Sequence, residues 1–238
     1  MRRHALALTV LVSGTILGML SGCDTTSSEN VKTSGIWAKF QVDDNADGTV
    51  TAWALLRVGG PTGTIVDLTG GEHVECNGAS LTEYLDPVTN LHWSRGVIPA
   101  SNDGQYTFEF VRTDETVSTE ISAADPPMID QVAQGSAWYA GEDGIITWDT
   151  TYPGDKVDID IQGDCIDDVS YLDLPDNGSF TVPSDDMVMS GQGDVCDVTV
   201  QVTRYVGYDV NPAYQGGEAW ATSFDAVTVT FSPPPLQN

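Results

Sequence analysis

The chain predicts an all-β protein built as two tandem β-sandwich domains. Three observations carry this expectation. Apolar residues recur with period two from residue 36 to residue 231. Turn residues such as Asn77-Gly78 and Asn177-Gly178 punctuate them at short intervals. No stretch sustains the 3.6-residue period of an amphipathic helix. Many short strands with regular turn signals define sandwiches rather than helical or α/β folds.

The elements follow in order. Ile36, Ala38, Phe40 and Val42 alternate with Trp37, Lys39 and Gln41. The turn-rich run Asp43-Asp44-Asn45-Ala46-Asp47-Gly48 comes next, and then Val50, Ala52, Ala54, Leu56 and Val58 alternate with Thr51, Trp53, Leu55 and Arg57. This is a hairpin by pattern and turn chemistry, with Val42 expected opposite Val50. A second hairpin is predicted about Asn77-Gly78, joining 72–76 to 79–84. Tyr106, Phe108 and Phe110 share one face, and Val117, Thr119 and Ile121 form the last strand of the first domain, 35–124. Asp125-Pro126-Pro127 removes ladder donors and forces extended backbone, which places the domain boundary there. In the second domain, 125–232, the strand faces are Ile146 and Trp148, then Val157, Ile159 and Ile161, then Val198, Val200 and Val202, then Val227, Val229 and Phe231. A Pro-rich tail, 233–238, closes the chain.

The N-terminus has a different character. Arg2 and Arg3 precede an apolar run at 5–20, followed by Leu20-Ser21-Gly22-Cys23. The run is too short, and too closely followed by small residues, for a membrane span. The segment resembles a bacterial lipoprotein signal peptide with its lipobox. The resemblance implies removal of residues 1–22, a diacylglyceryl group on the Cys23 sulfur, an acylated Cys23 amine, and residence in the bacterial cell envelope, facing the periplasm or the cell surface. Asp24 resembles the inner-membrane retention signal of enteric bacteria. Residues 23–34 are small and polar and read as a flexible tether. Pro126-Pro127-Met128-Ile129 and Ile145-Ile146-Thr147-Trp148 resemble the first two strands of a fibronectin type III or immunoglobulin-like domain. The chain as a whole is similar to acidic envelope lipoproteins of environmental Gram-negative bacteria.

Charge and cysteines bound the function. The formal net charge is −26, and loss of Arg2 and Arg3 makes it −28. Such a surface repels nucleic acid and anionic head groups. After export, Cys76, Cys165 and Cys196 meet an oxidising compartment, where three thiols allow one pair. Cys165 and Cys196 stand at the same parity as the apolar residues of their strands. They are the expected disulfide, with Cys76 left over.

Catalytic signals are weak. Beyond the leader only His73 and His92 occur, no nucleophile elbow is present, and Cys76 lies three residues from His73, hence on the opposite strand face. His73, Glu75 and Cys76 lack a second ligand pair for zinc. Asp43, Asn45, Asp47 and Gly48 match half of a Ca²⁺ loop, but Ala54 stands where the bidentate Glu belongs, so turn-forming roles are favoured over metal binding. No cofactor is expected. Trp37, Trp53 and Leu55 share the hairpin face opposite its apolar side. They are expected beneath a covering segment, since monomers rarely leave such a patch open; an exposed patch for a protein or glycan partner is the alternative. The sequence therefore points to a lipid-anchored, non-enzymatic binding or structural module. A Ca²⁺-dependent adhesive module, or a hydrolytic or carbohydrate-active enzyme without a recognisable motif, is the alternative.

Overall fold

The computed structural model describes residues 25–86, 91–132, 137–190 and 195–234. Residues 1–24, which carry the expected signal peptide, Cys23 and Asp24, lie outside the described residues, as does the end of the Pro-rich tail. In chain order the strands of the first half are β1 (Thr25–Ser27), β2 (Ile36–Asp44), β3 (Thr49–Val58), β4 (Thr64–Asp67), β5 (His73–Cys76), β6 (Ala79–Ser80), β7 (Thr82–Leu85), β8 (His92–Pro99), β9 (Gln105–Val111) and β10 (Thr116–Ser122). Those of the second are β11 (Ile129–Val132), β12 (Ala137–Tyr139), β13 (Gly144–Trp148), β14 (Lys156–Gly163), β15 (Val169–Leu174), β16 (Ser179–Val182), β17 (Cys196–Tyr208) and β18 (Gly216–Ser232).

Period-two patterning sorts these strands into two sandwiches that share one sheet. The shared sheet runs β1-β4-β3-β2-β18-β17-β14-β15, with β8 added on β3, β7 on β8 and β12 on β18. At one end its inner face (Ile36, Ala38, Phe40 and Val42 of β2) packs on the sheet β10-β9-β5-β6 through Val74, Cys76, Phe108 and Phe110. The Phe40 and Phe108 rings lie 5.0 Å apart. At the other end Val157, Ile159, Ile161, Val198, Val200 and Val202 close on the sheet β11-β13-β16 through Ile146, Trp148 and Val182. Burial alternates along β2 and β14 as the sequence demands, each fully buried Val or Ile adding about 1.5–3 kcal/mol.

The C-terminal hairpin joins the two cores. Gly216–Thr222 of β18 pair in parallel with Trp37–Asp43, while Thr230–Ser232 pair in parallel with Ala137–Tyr139. Tyr214, Ala219 and Ala221 therefore belong to the first core and Phe231 to the second. The sequence pattern exposed only Val227, Val229 and Phe231 of this strand. Its earlier inward positions are Ala219, Ala221 and Ser223, whose small side chains give almost no hydrophobic signal.

Three local features differ from expectation. In the first hairpin Val42 faces Ala52, not Val50. The turn is centred one residue later than expected, where the Asp44 carboxylate accepts the Ala46 N–H and the Asp47 carboxylate accepts the Thr49 N–H, with Ala46 and Gly48 at positive φ. A two-residue slip keeps every side chain on its expected face. The strand expected over 79–84 splits at buried Leu81. Ala79–Ser80 pair with β5 across Asn77-Gly78, whereas Thr82–Leu85 cross to β8 in the shared sheet. Finally, where a tether is expected, Thr25–Ser27 add as a parallel strand to β4. The following residues are held by Arg112, which donates to the Ser28 carbonyl at 2.9 Å and to Thr33 Oγ1 at 3.0 Å. Ser28 and Thr33 are buried. Their hydroxyls serve polar partners in the body of the protein, a role that composition alone does not reveal.

The second core is tied by two devices. Cys165 and Cys196 form the expected disulfide, with Cα atoms 6.0 Å apart, and Cys76 is a free thiol buried in the first core. Arg204, 1% exposed, donates to the Asp176 carboxylate at 2.6 Å and to the carbonyls of Asp125 and Asp149. It thereby fixes the Asp125-Pro126-Pro127 connection to the second core.

Candidate binding face

The outer face of the shared sheet carries a row of half-buried aromatic rings. Six adjacent strands, β7-β8-β3-β2-β18-β17, place Tyr84, Trp93, Trp53, Trp37, Trp220 and Tyr205 on this side, one from each. The parity is fixed by the registers Tyr84↔Trp93, Trp53↔Arg95, Trp53↔Gln41, Gln41↔Trp220 and Thr222↔Tyr205. Six strands span about 24 Å at the usual spacing. All six rings are half-buried.

Of the residues singled out by sequence, Leu55 is buried, and Trp37 and Trp53 are half-buried. The cover expected for Trp53 is lateral. Its ring meets Tyr84 at 5.6 Å and Trp93 at 5.9 Å, both edge-on, and the Arg95 guanidinium lies 4.6 Å from its centroid. The Trp53 indole N–H donates to Asp43 Oδ2 at 2.8 Å. Sequence reasoning missed Tyr84, Trp93, Arg95, Trp220 and Tyr205, because β8 and β18 reach this sheet from far along the chain. The alternation of Trp93 and Arg95 with Ser94 and Gly96 was the available signal.

Cations interleave with the rings. Arg95 also sits 5.3 Å from Tyr84. Lys39 lies 6.0 Å from the Trp93 centroid and pairs with Glu218 at 3.0 Å. Lys156 stands 4.8 Å from Tyr205 and 5.5 Å from Trp220 and pairs with Asp173. Three of the seven lysines and arginines after residue 22 thus lie over aromatic rings on this one face, where each such contact is worth about 0.5–1 kcal/mol. Burial and the neighbouring Asp158 push the Tyr205 phenol above its ordinary range, so the ring stays neutral.

The Ca²⁺ candidates have other employment. The Asp43 carboxylate accepts from Gln41, Trp53 and Thr222. Asn45 bonds Thr49 and Thr51, and Asp47 holds Thr49. His73 pairs with Glu75 at 2.9 Å on the strand face opposite buried Cys76. The His73 ring is raised in pKa first by its bond to the Gly71 carbonyl and then by Glu75. Among the described residues no three His, Cys, Asp or Glu side chains converge as metal ligands. Burial pushes the Cys76 thiol up to about 12.

No protein-family model matches the chain, and no curated protein matches its sequence. Among solved structures it is similar to the FN1–FN3 domains of chicken CNTN1, at 13% identity and a TM-score of 0.24, over 84% of this chain and 64% of that one. It is similar to SGBP-B of the Bacteroides ovatus mixed-linkage glucan utilization locus, solved with a mixed-linkage heptasaccharide, at 12% identity and 0.23, over 79% of this chain and 53% of that one. Murine CEACAM1b matches at 11% identity and 0.23, over 84% of this chain and all of that one. The chain spans less than two thirds of the first two, at 64% and 53%. At these scores the fold rests on the strand pairing described above.

Proposed function

We propose that this protein is a lipid-anchored, non-enzymatic module of the bacterial cell envelope that binds a neutral polysaccharide on the outer face of its shared sheet. The observation that carries the reading is the row of six half-buried aromatic rings on adjacent strands, interleaved with Arg95, Lys39 and Lys156. Sugar rings present C–H faces that pack on aromatic faces and hydroxyls that pair with side-chain donors and carboxylates. A net charge of −26 disfavours an anionic polymer. The lipobox at Leu20-Ser21-Gly22-Cys23 supports the anchor.

Affinity electrophoresis through gels containing neutral polysaccharides tests the binding. Wild type is expected to be retarded by at least one glucan or mannan, and Trp93→Ala combined with Trp220→Ala to run as in an empty gel. Equal retardation of both proteins, or none by any polysaccharide, overturns the reading. The anchor is tested separately by clickable fatty-acid labelling, which should vanish in Cys23→Ala.

A further inference from the structure

The sheet that joins the two cores also fixes how the molecule is held. Thr25, the first residue of β1, lies level with Ile65, Arg57, Trp37 and Gly216, which stand side by side across β4, β3, β2 and β18. This is one extreme of the shared sheet. From it β18 runs unbroken to Ser232, and its 17 residues rise about 3.3 Å each, roughly 50 Å in all. The far extreme holds Phe231 beside Cys196, with the Cys165–Cys196 disulfide. Cys23 precedes Thr25 by two residues, and two residues of backbone reach at most about 7 Å. Whatever holds Cys23 therefore holds the Thr25 end of the sheet.

Charge is graded along the same axis. The turns of the shared sheet at the Thr25 end, 59–63 and 210–215, contain no charged residue. The acids close by, Asp114, Glu115 and Asp209, are accompanied by Lys32 and Arg112. At the other end Asp164, Asp167, Asp168 and Asp197 flank the two disulfide cysteines in the chain, with no lysine or arginine among them.

We infer that the Thr25 end of the first sandwich seats on the bilayer surface, with the strands of the shared sheet upright and the second sandwich at the top. This seating rests on the lipid-anchor reading and is independent of the polysaccharide reading. The partner is a phospholipid head-group layer, which the uncharged turns 59–63 and 210–215 approach without repulsion. The acids around the disulfide are kept farthest from it, as a negative leaflet requires. The aromatic face is placed by the same geometry. Its rings lie between the level of Gly216 and that of Thr222, about 20 Å along β18. A polymer held there lies low along the membrane, beneath the second sandwich.

Neutron reflectometry tests the seating. The chain from Cys23 onward is coupled through its Cys23 thiol to a maleimide phospholipid in a supported phosphatidylcholine bilayer; Cys76 is buried and does not compete. Chemical coupling separates the two readings. Absent fatty-acid labelling of Cys23 in cells defeats the anchor, whereas the reflectivity profile defeats only the seating. The expected protein layer begins at the head groups and is about 50 Å deep, the length of β18. Lying down, the molecule presents its width instead, and the path from β1 to β15 crosses strands about 4.8 Å apart, roughly 35 Å in all. The second probe is a variant with about twelve glycine and serine residues inserted between Asp24 and Thr25, a linker spanning roughly 20 Å. A water gap should open beneath it, and its layer should lose the sharp outer edge. A layer near 35 Å for the uninserted chain, or a profile left unchanged by the insertion, overturns the proposal.

Discussion

Replacing Asp176 by Asn should unfold this protein at a markedly lower temperature, although the two side chains have nearly the same shape. The Asp176 side chain is fully buried, and that of Arg204 is 2% exposed. The carboxylate accepts from Arg204 Nε at 2.6 Å, Arg204 Nη2 at 3.4 Å, Trp148 Nε1 at 2.7 Å and the Gly154 N–H at 2.6 Å. An amide supplies one oxygen where two are used, and its NH₂ must point at a donor. Arg204 is left as a buried cation with only carbonyls for company, a loss of about 3–5 kcal/mol. For a chain of this size that is a fall of roughly 6–20 °C in melting temperature. Scanning calorimetry at neutral pH is the assay, with Asp173→Asn as control. Asp173 pairs with Lys156 at the exposed surface, so its loss should cost less than about 1 kcal/mol. Acid should reproduce the effect in wild type. Burial alone would raise the Asp176 pKa, but the bonds from Arg204, Trp148 and Gly154 outweigh it and hold the carboxyl below its ordinary value. A depressed folded-state pKa contributes stability above the unfolded value, about 3.9, and that stability is lost as pH falls through the folded value. Asp176→Asn should therefore lose less stability than wild type on acidification. A variant melting within about 2 °C of wild type would refute this account of the second core.

Other expectations follow from the same structure. Cys76 should resist alkylation in the native protein and react fully in denaturant, since burial keeps its thiol protonated up to about 12. Peptide mapping after iodoacetamide reads this directly. Reduction of Cys165–Cys196, which closes a loop of 31 residues, should cost about 3–4 kcal/mol, seen as a lower midpoint in urea with reductant. Trp53→Ala should cost about 2 kcal/mol, roughly half the loss for a fully buried Trp, because Trp53 keeps one side open while packing on Tyr84, Trp93 and Arg95. Chemical denaturation measures it, and a loss below about 0.5 kcal/mol would mean the ring is merely a surface group.

Much of the fold was legible in the sequence because it is written in local alternation. The hairpin of β2 and β3, the inward set of β14 and β17, the Asn77-Gly78 turn and the parity that brings Cys165 to Cys196 all follow from period two and turn chemistry. What escaped depends on distant partners. Nothing near Thr25 announces that it will lie beside Ile65, and nothing near Gly216 announces Trp37. The same holds for the binding face. Trp37 and Trp53 are visible as a local oddity of one hairpin, whereas Tyr84, Trp93, Trp220 and Tyr205 join them through pairings made across the chain.

The single strand from Gly216 to Ser232 also sets a timetable. Until it arrives, β2 has an open edge along Trp37–Asp43, and the first core lacks Tyr214, Ala219 and Ala221. An N-terminal half emerging first from a ribosome or an export channel would therefore wait, unfinished, for the last stretch of chain. Contacts closed over so long a separation form slowly. Both halves then set together, so a cut in the C-terminal hairpin would undo residues nearly two hundred positions away.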